Sequence, residues 1–277
     1  MVKLNRRLKA ASVLLLLFVI VGVIMPHFAP YDPRSWNTVP RNLQPSQAHL
    51  LGTTSLGQDT FWLLTFAIQN SLFVGVLVAF FATTVGVLAG LIGGFVGGWI
   101  DRVLTLLMDV FISVPSLPIL ILVASLLQGK TSLLTISLVL IVFNWPWPAR
   151  QVRSIALSMR EREFINTARF SGAGTLSIIV REIFPYVLNW SLANFANTVL
   201  VAIATESGLA VIGLSSVQQA TLGSMIYWGL QYQALLAHRW WWIGTPVIAV
   251  VLLFVALFLA STGFADFSAE RRGRHRA

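Results

Sequence analysis

The chain contains no cysteine. Disulfides, thiolate metal sites and cysteine nucleophiles are therefore excluded. Histidine is scarce too: four residues, His27, His49, His238 and His275, with no spacing that would gather them around a metal ion. Charge is the third shortage. Only 10% of the 277 residues are Asp, Glu, Lys or Arg, where a soluble domain carries roughly 25%. So few charges cannot cover a water-facing surface. What the chain has instead is 56% hydrophobic residues, so lipid must be the solvent for much of it. The net charge of +9 does not point to nucleic acid, because the basic residues sit at the ends of apolar runs and form no soluble basic domain.

A transmembrane helix needs about 20 mostly apolar residues. Hydropathy places spans at Ala10–Phe28 and at about 70–98, 102–127, 132–149, 186–212 and 243–264. The fold class that follows is all-α: a polytopic membrane protein of about six transmembrane helices. The first run follows Lys3, Arg6, Arg7 and Lys9, as a signal peptide would. It is longer than the apolar core of such a peptide, and Pro26-His27-Phe28-Ala29-Pro30 offers no small-x-small cleavage site, so an uncleaved anchor is expected. The chain then divides into a cytoplasmic N-terminus with the first span (1–28), an extracytoplasmic segment (29–69), a transmembrane core (70–265) and a basic tail (266–277). Six glycines, Gly86, Gly90, Gly93, Gly94, Gly97 and Gly98, form a small-residue stripe suited to close helix packing.

Orientation follows from the basic residues, which concentrate on the cytoplasmic side. With both termini inside a bacterial or archaeal plasma (inner) membrane, 15 of the 19 Lys and Arg fall inside. Only Arg34, Arg41, Lys130 and Arg239 fall outside. The largest inside loop, 150–185, is basic and polar. Ser158 followed by Glu161 has the spacing of a capping box, which predicts a helix start there. Phe164, Ala168 and Ser171 then share one face, and Arg162, Asn166 and Arg169 another. Gly172 ends the helix, and Thr175 can cap a second short one. On the residues alone two readings stand: a helix lying on lipid headgroups, or one that docks in a groove of a cytoplasmic partner with Phe164 as its knob.

Other features have bland readings beside functional ones. Ala124–Thr131 fits a relaxed phosphate-loop pattern, but it lacks the first glycine and follows an apolar span, so a chance match is expected. Asn194, Asn197, Thr198 and Glu206 give the fifth span a polar side, which suits either a translocation path or interhelical packing. Asp109 is expected to serve structure near Pro115, where a bent span leaves backbone groups to satisfy.

The inside loop resembles the signature of ATP-binding-cassette importer permeases: a Glu-Ala-Ala triplet, three residues, a glycine, and an Ile-x-x-Pro-like end. Here these positions read Asn166-Thr167-Ala168, Gly172 and Ile183-Phe184-Pro185. His49-Leu50-Leu51-Gly52-Thr53, Leu56-Gly57-Gln58-Asp59, Gly97-Gly98-Trp99-Ile100-Asp101, Met108-Asp109 through Pro115-Ser116, Ala149-Arg150-Gln151-Val152-Arg153 and Arg160–Phe164 resemble the dipeptide/oligopeptide/nickel permease family, in its C-type subunit. The likeness runs over about residues 45 to 265.

This resemblance implies a transport subunit without catalysis, paired with a homologous second permease subunit, two cytoplasmic ATPase subunits and an extracytoplasmic solute-binding protein. ATP and Mg would bind in those partners, with no cofactor in this chain. The coupling helix would comprise Arg162, Glu163, Phe164, Ala168, Arg169 and Gly172. The candidate pathway would comprise Asn194, Asn197, Thr198 and Glu206. Di- and oligopeptides are the expected cargo, with oligosaccharides or nickel and metal chelates as alternatives. After Glu206 the family pattern resembles Leu-Gly-Leu-Gly-Val-Gln-Pro-Pro, whereas this chain reads Ile212-Gly213-Leu214-Ser215-Ser216-Val217-Gln218-Gln219. A reading of another class, an ion-coupled secondary transporter, leaves the amphipathic inside helix unexplained and lacks the paired repeat of such folds.

Overall fold

A computed structural model describes residues 6–126, 132–215 and 218–274. Among them the chain is helical, with one isolated bridge between Thr53 and Asp59 and no strand. Five helices are long and apolar enough to cross a membrane, and a bent helix pair raises the number to six.

α1 (Arg6–Val19) continues through a wider and then a tighter turn to Phe28. α2 (Thr60–Val96) is the central pillar. It has 37 residues, about 55 Å at 1.5 Å per residue, well beyond the roughly 30 Å of hydrocarbon. It starts at Thr60 rather than near 70, because the Asp59 carboxylate accepts from the Phe61 and Trp62 backbone N–H groups and satisfies the first turn. The non-helical segment therefore gives way to helix earlier than hydropathy suggests.

The segment before α2 is irregular yet tied down. Trp241 Nε1 donates to the Thr53 carbonyl at 3.2 Å, and Arg239 Nη1 donates to Ser55 Oγ at 2.7 Å. Asp59 also meets His49 Nδ1 at 2.7 Å and the Tyr31 hydroxyl at 3.3 Å. Burial, and then the nearby Asp59 charge, push the Tyr31 phenol up to about 12.

The third hydropathic span is not one rod. α3 (Gly98–Ser113) and α4 (Ser116–Leu126) meet at an angle of 81° across Val114-Pro115. Proline has no N–H to continue the helix and excludes the helical conformation from the residue before it. The second half of the phosphate-loop look-alike lies outside the described residues.

α5 (Leu133–Asn144) and α6 (Pro146–Arg160) run on as one helical segment of 28 residues, apolar along α5 and polar along α6. The segment expected to lie inside from 150 therefore begins as helix, with Arg150 and Arg153 on α6. Part of the glycine stripe explains the packing. A Cβ at Gly90 would lie 2.6 Å from the Ala149 carbonyl oxygen, and one at Gly86 2.7 Å from Pro148 Cγ. α6 thus sits backbone against backbone on α2. Gly97 and Gly98 are not on that stripe; at φ +72° and +66° they make the turn into α3.

The remaining elements are α7 (Glu163–Phe170), α8 (Thr175–Ile178), α9 (Phe184–Val211), α10 (Leu222–Gln231) and α11 (Trp240–Arg274). α1 packs on α11, where Arg7 Nη1 and Asp266 Oδ2 are 3.1 Å apart, so the two helix ends meet.

Candidate functional site: the inside loop and the polar faces

The loop is built from its turns outward. Ser158 does not start a helix. α6 runs through it to Arg160, with Ala156 and Met159 buried, and Glu161 closes the end. α7 begins instead at Glu163, with Arg162 extended before it and no side-chain cap. The capping-box reading is therefore corrected: packing of α6 outweighs a local cap contributing about 1 kcal/mol. Thr175 likewise caps nothing; the N-cap of α8 is Gly174.

The end of α7 follows the expectation. Gly172 has φ +81°, its N–H donates to the Arg169 carbonyl at 3.0 Å, and the Ala173 N–H donates to the Ala168 carbonyl at 3.0 Å. That pair of bonds around a left-handed residue is the Schellman closure.

The Phe164 face of α7, expected to face a partner, turns toward the chain's own core. Ile165 is fully buried with Val152, Ala156, Ile178 and Ile183, and Phe164 and Ala168 pack against the same cluster. The Phe164 ring stacks on Tyr186. Phe164 thus fastens α7 to its own chain. The free knob is Phe170, 92% exposed, on a face shared with the exposed Glu163, Asn166 and Thr167. Arg162 is exposed, and the Arg169 guanidinium lies 5.2 Å over the Phe95 ring. Helical spacing alone showed which residues share a face, but not which face meets the bundle. The one signal available was Ile165, a large aliphatic residue on neither of the two faces singled out.

The expected pathway residues also separate. Asn194 and Thr198 are buried and bond to one another, Asn194 Nδ2 donating to Thr198 Oγ1 at 3.2 Å. Glu206 is fully buried; its Oε1 accepts from Ser215 Oγ at 3.0 Å and from Thr221 Oγ1 at 3.1 Å. The Asn194–Thr198 bond lies within α9, whereas Glu206 ties α9 to Ser215 and Thr221. Of the four expected pathway residues, only Asn197 is exposed.

Sequence reasoning missed two ion pairs. Arg153 grips Asp101 through Nε–Oδ1 and Nη2–Oδ2, at 2.5 and 2.7 Å, and Arg150 pairs with Asp109. Asp109 therefore answers an arginine of α6 and not the backbone near Pro115.

This helical core, with a short helix hung between α6 and α9, is the architecture of an importer's membrane subunit. Residues 82–274 match the family described as "Binding-protein-dependent transport system inner membrane component". The chain is 32% identical over 266 residues to the oligopeptide transport system permease protein OppC of Mycobacterium tuberculosis, covering 95% of this chain and 89% of that one. It is 30% identical over 265 residues to the dipeptide transport system permease protein DppC of Bacillus subtilis, covering 95% and 82%. A solved structure of the MetNI methionine ABC transporter in inward-facing conformations shares the fold, with TM-score 0.57 and 21% identity over 74% of this chain and 96% of that one. The chain belongs to the binding-protein-dependent permease family, as a permease subunit of an ATP-binding-cassette importer.

Proposed function

We propose that this subunit serves an importer of short peptides, pairing with a second, homologous permease and with two ATPase subunits that hydrolyse ATP with Mg. A solute-binding protein would deliver the peptide from outside. Likeness to permeases named for oligopeptide and dipeptide transport, along 95% of the chain, carries the cargo reading.

The inside loop supports the coupling role. A helix whose inner face is fixed by Ile165, Phe164 and Ala168, and whose outer face offers one large apolar side chain, is a rigid lever with a single anchor. Docking of the Phe170 face in an ATPase groove would carry the closing motion of the ATPases into α6 and α9. Both termini and α7 would be cytoplasmic. The basic residues of 150–181 favour that side.

The test is co-expression of the four subunits and reconstitution in liposomes with the binding protein. ATP-dependent accumulation of labelled trialanine supports the reading. Uptake that needs no ATP, or that takes nickel chelates or oligosaccharides but no peptide, overturns it.

A further inference from the structure

Between the segment before α2 and the start of α11 lies a cavity of about 390 Å³, a size that suits a small organic ligand. Its walls include Trp36 and Gln58 of that segment, Gln219 of the connection into α10, Trp228 of α10 and Trp242 of α11. The Trp36 and Trp228 rings meet edge to face, with centroids 5.7 Å apart. Among the described residues of the lining, Arg34 alone is charged, and Asp32 already takes its guanidinium in two bonds of 2.8 and 3.0 Å. The cavity therefore offers aromatic surface and amides, with no free charge.

Two hydrogen-bonding groups on buried residues of this wall are unfilled. Trp242 is 1% exposed, and its indole N–H is buried with no acceptor among the described residues. The buried Gln58 amide donates to the Pro33 and Arg34 carbonyls at 3.1 and 3.0 Å, which occupies its nitrogen and fixes its orientation. Its Oε1 accepts from no donor among the described residues. A buried polar group without a partner is costly and is rarely left so. The neighbouring Trp241 shows the ordinary arrangement: its N–H donates to the Thr53 carbonyl at 3.2 Å.

We propose that this cavity binds an uncharged stretch of a short peptide, one backbone amide accepting from the Trp242 N–H and donating to Gln58 Oε1. One donor and one acceptor are what a peptide group requires. The side chain beside that amide rests on the Trp36–Trp228 pair, with Leu63 and Met225 completing the apolar wall. The peptide's charged ends stay in water, since the lining holds no unpaired charge for them. This inference rests on the peptide reading of the cargo.

The absence of cysteine makes the chain a ready background for thiol mapping. Gln219 is an exposed residue of the lining, and Gln219→Cys places a thiol at the cavity. The variant is prepared as the purified permease–ATPase complex in lipid nanodiscs, without the binding protein, and its labelling by a maleimide is followed on this chain by mass spectrometry. Trialanine and the uncharged N-acetyl-trialanine amide should each slow labelling about tenfold at ten times the half-protecting concentration, by simple occupancy. Maltotriose should not slow it.

Trp242→Phe in this background keeps an aromatic ring and removes the unfilled N–H. The peptide concentration that protected about tenfold should then protect about twofold, a loss of affinity of about tenfold. Trp241→Phe, one residue away and outside the lining, should keep full protection and lower the melting temperature more, because it strands the Thr53 carbonyl. No protection by either peptide, protection by trialanine alone, protection by maltotriose, or equal protection in Trp242→Phe and its parent overturns the proposal, as does equal loss in both tryptophan variants. The cargo reading is judged separately, by ATP-driven uptake in the unmodified complex: uptake of trialanine without protection at 219 sinks the site alone.

Discussion

The rings of Phe164 and Tyr186 stack with centroids 6.1 Å apart and planes 27° from parallel. The aromatic residue at the start of α7 is therefore held by α9 of its own chain, and Phe170 is the side chain left outside. Phe170→Ala should lower affinity for the ATPase subunits by about 2 kcal/mol or more, roughly 30-fold, as loss of an interface anchor does. Membrane insertion and thermal stability should stay normal. Phe164→Ala should instead destabilise the fold by about 2 kcal/mol for a half-buried ring, read as a lower melting temperature. Pull-down of the ATPases beside thermal unfolding of the solubilised complex separates the two. ATPase retention in Phe170→Ala, with loss in Phe164→Ala at unchanged stability, would return the anchor to Phe164.

Gly172 and the space around it make a cleaner case. A Cβ there would meet nothing within 4 Å, so substitution costs only backbone strain at φ +81°. Gly172→Ala should destabilise the end of α7 by about 1 kcal/mol and impair coupled transport in part. Gly172→Asn should be milder, since asparagine tolerates the left-handed region. Transport rate per assembled complex is the measurement; equal loss in both variants would mean that strain is not the cause.

Gly90 is the opposite case. Its obstacle is the Ala149 carbonyl oxygen, part of a backbone that cannot step aside. Gly90→Ala should pry α6 from α2 and cut the yield of folded, monodisperse complex severely. Gly174→Ala, where φ is −71° and nothing lies within 4 Å, is the matched control and should be silent. Size-exclusion profiles of both variants decide this; a normal Gly90→Ala complex would refute the close packing.

Glu206→Ala should leave the hydroxyls of Ser215 and Thr221 without their acceptor in a buried place. Each unsatisfied donor costs about 1–3 kcal/mol. Glu206→Gln keeps an oxygen acceptor and should lose little. Thermal unfolding should therefore rank wild type, Gln, Ala in falling order. If Gln abolishes uptake with stability intact, the carboxylate has a transport role beyond packing.

Topology is checked with reporter fusions at Ala48, Gly174 and Gln219. Extracytoplasmic activity is expected at the first and third, and cytoplasmic activity at Gly174. Extracytoplasmic activity at Gly174 would invert the orientation and remove α7 from reach of any ATPase.

The sequence by itself determined the class of solvent, the helical architecture and the family. Apolar length and charge scarcity are properties of composition, and lipid leaves a chain of this kind little but helices. It also determined the Gly172 helix end, which depends on one residue's backbone freedom. It did not determine element boundaries where two local signals competed. Ser158 and Glu161 form a capping pattern on paper, yet they sit at the end of α6, because burial of Ala156 and Met159 against α2 and the loop outweighs a cap.

Only the tertiary structure decided which side chains are free. Phe164 and Phe170 are alike in a periodic reading; the difference is that Tyr186 and Ile165 bring one inward. Arg150 and Arg153 look like loop charges until Asp109 and Asp101, 41 and 52 residues away, come beside them. Each arginine of α6 has its own carboxylate partner on α3. That partner is set by how α3 folds back along α6, a relation no local pattern of residues contains.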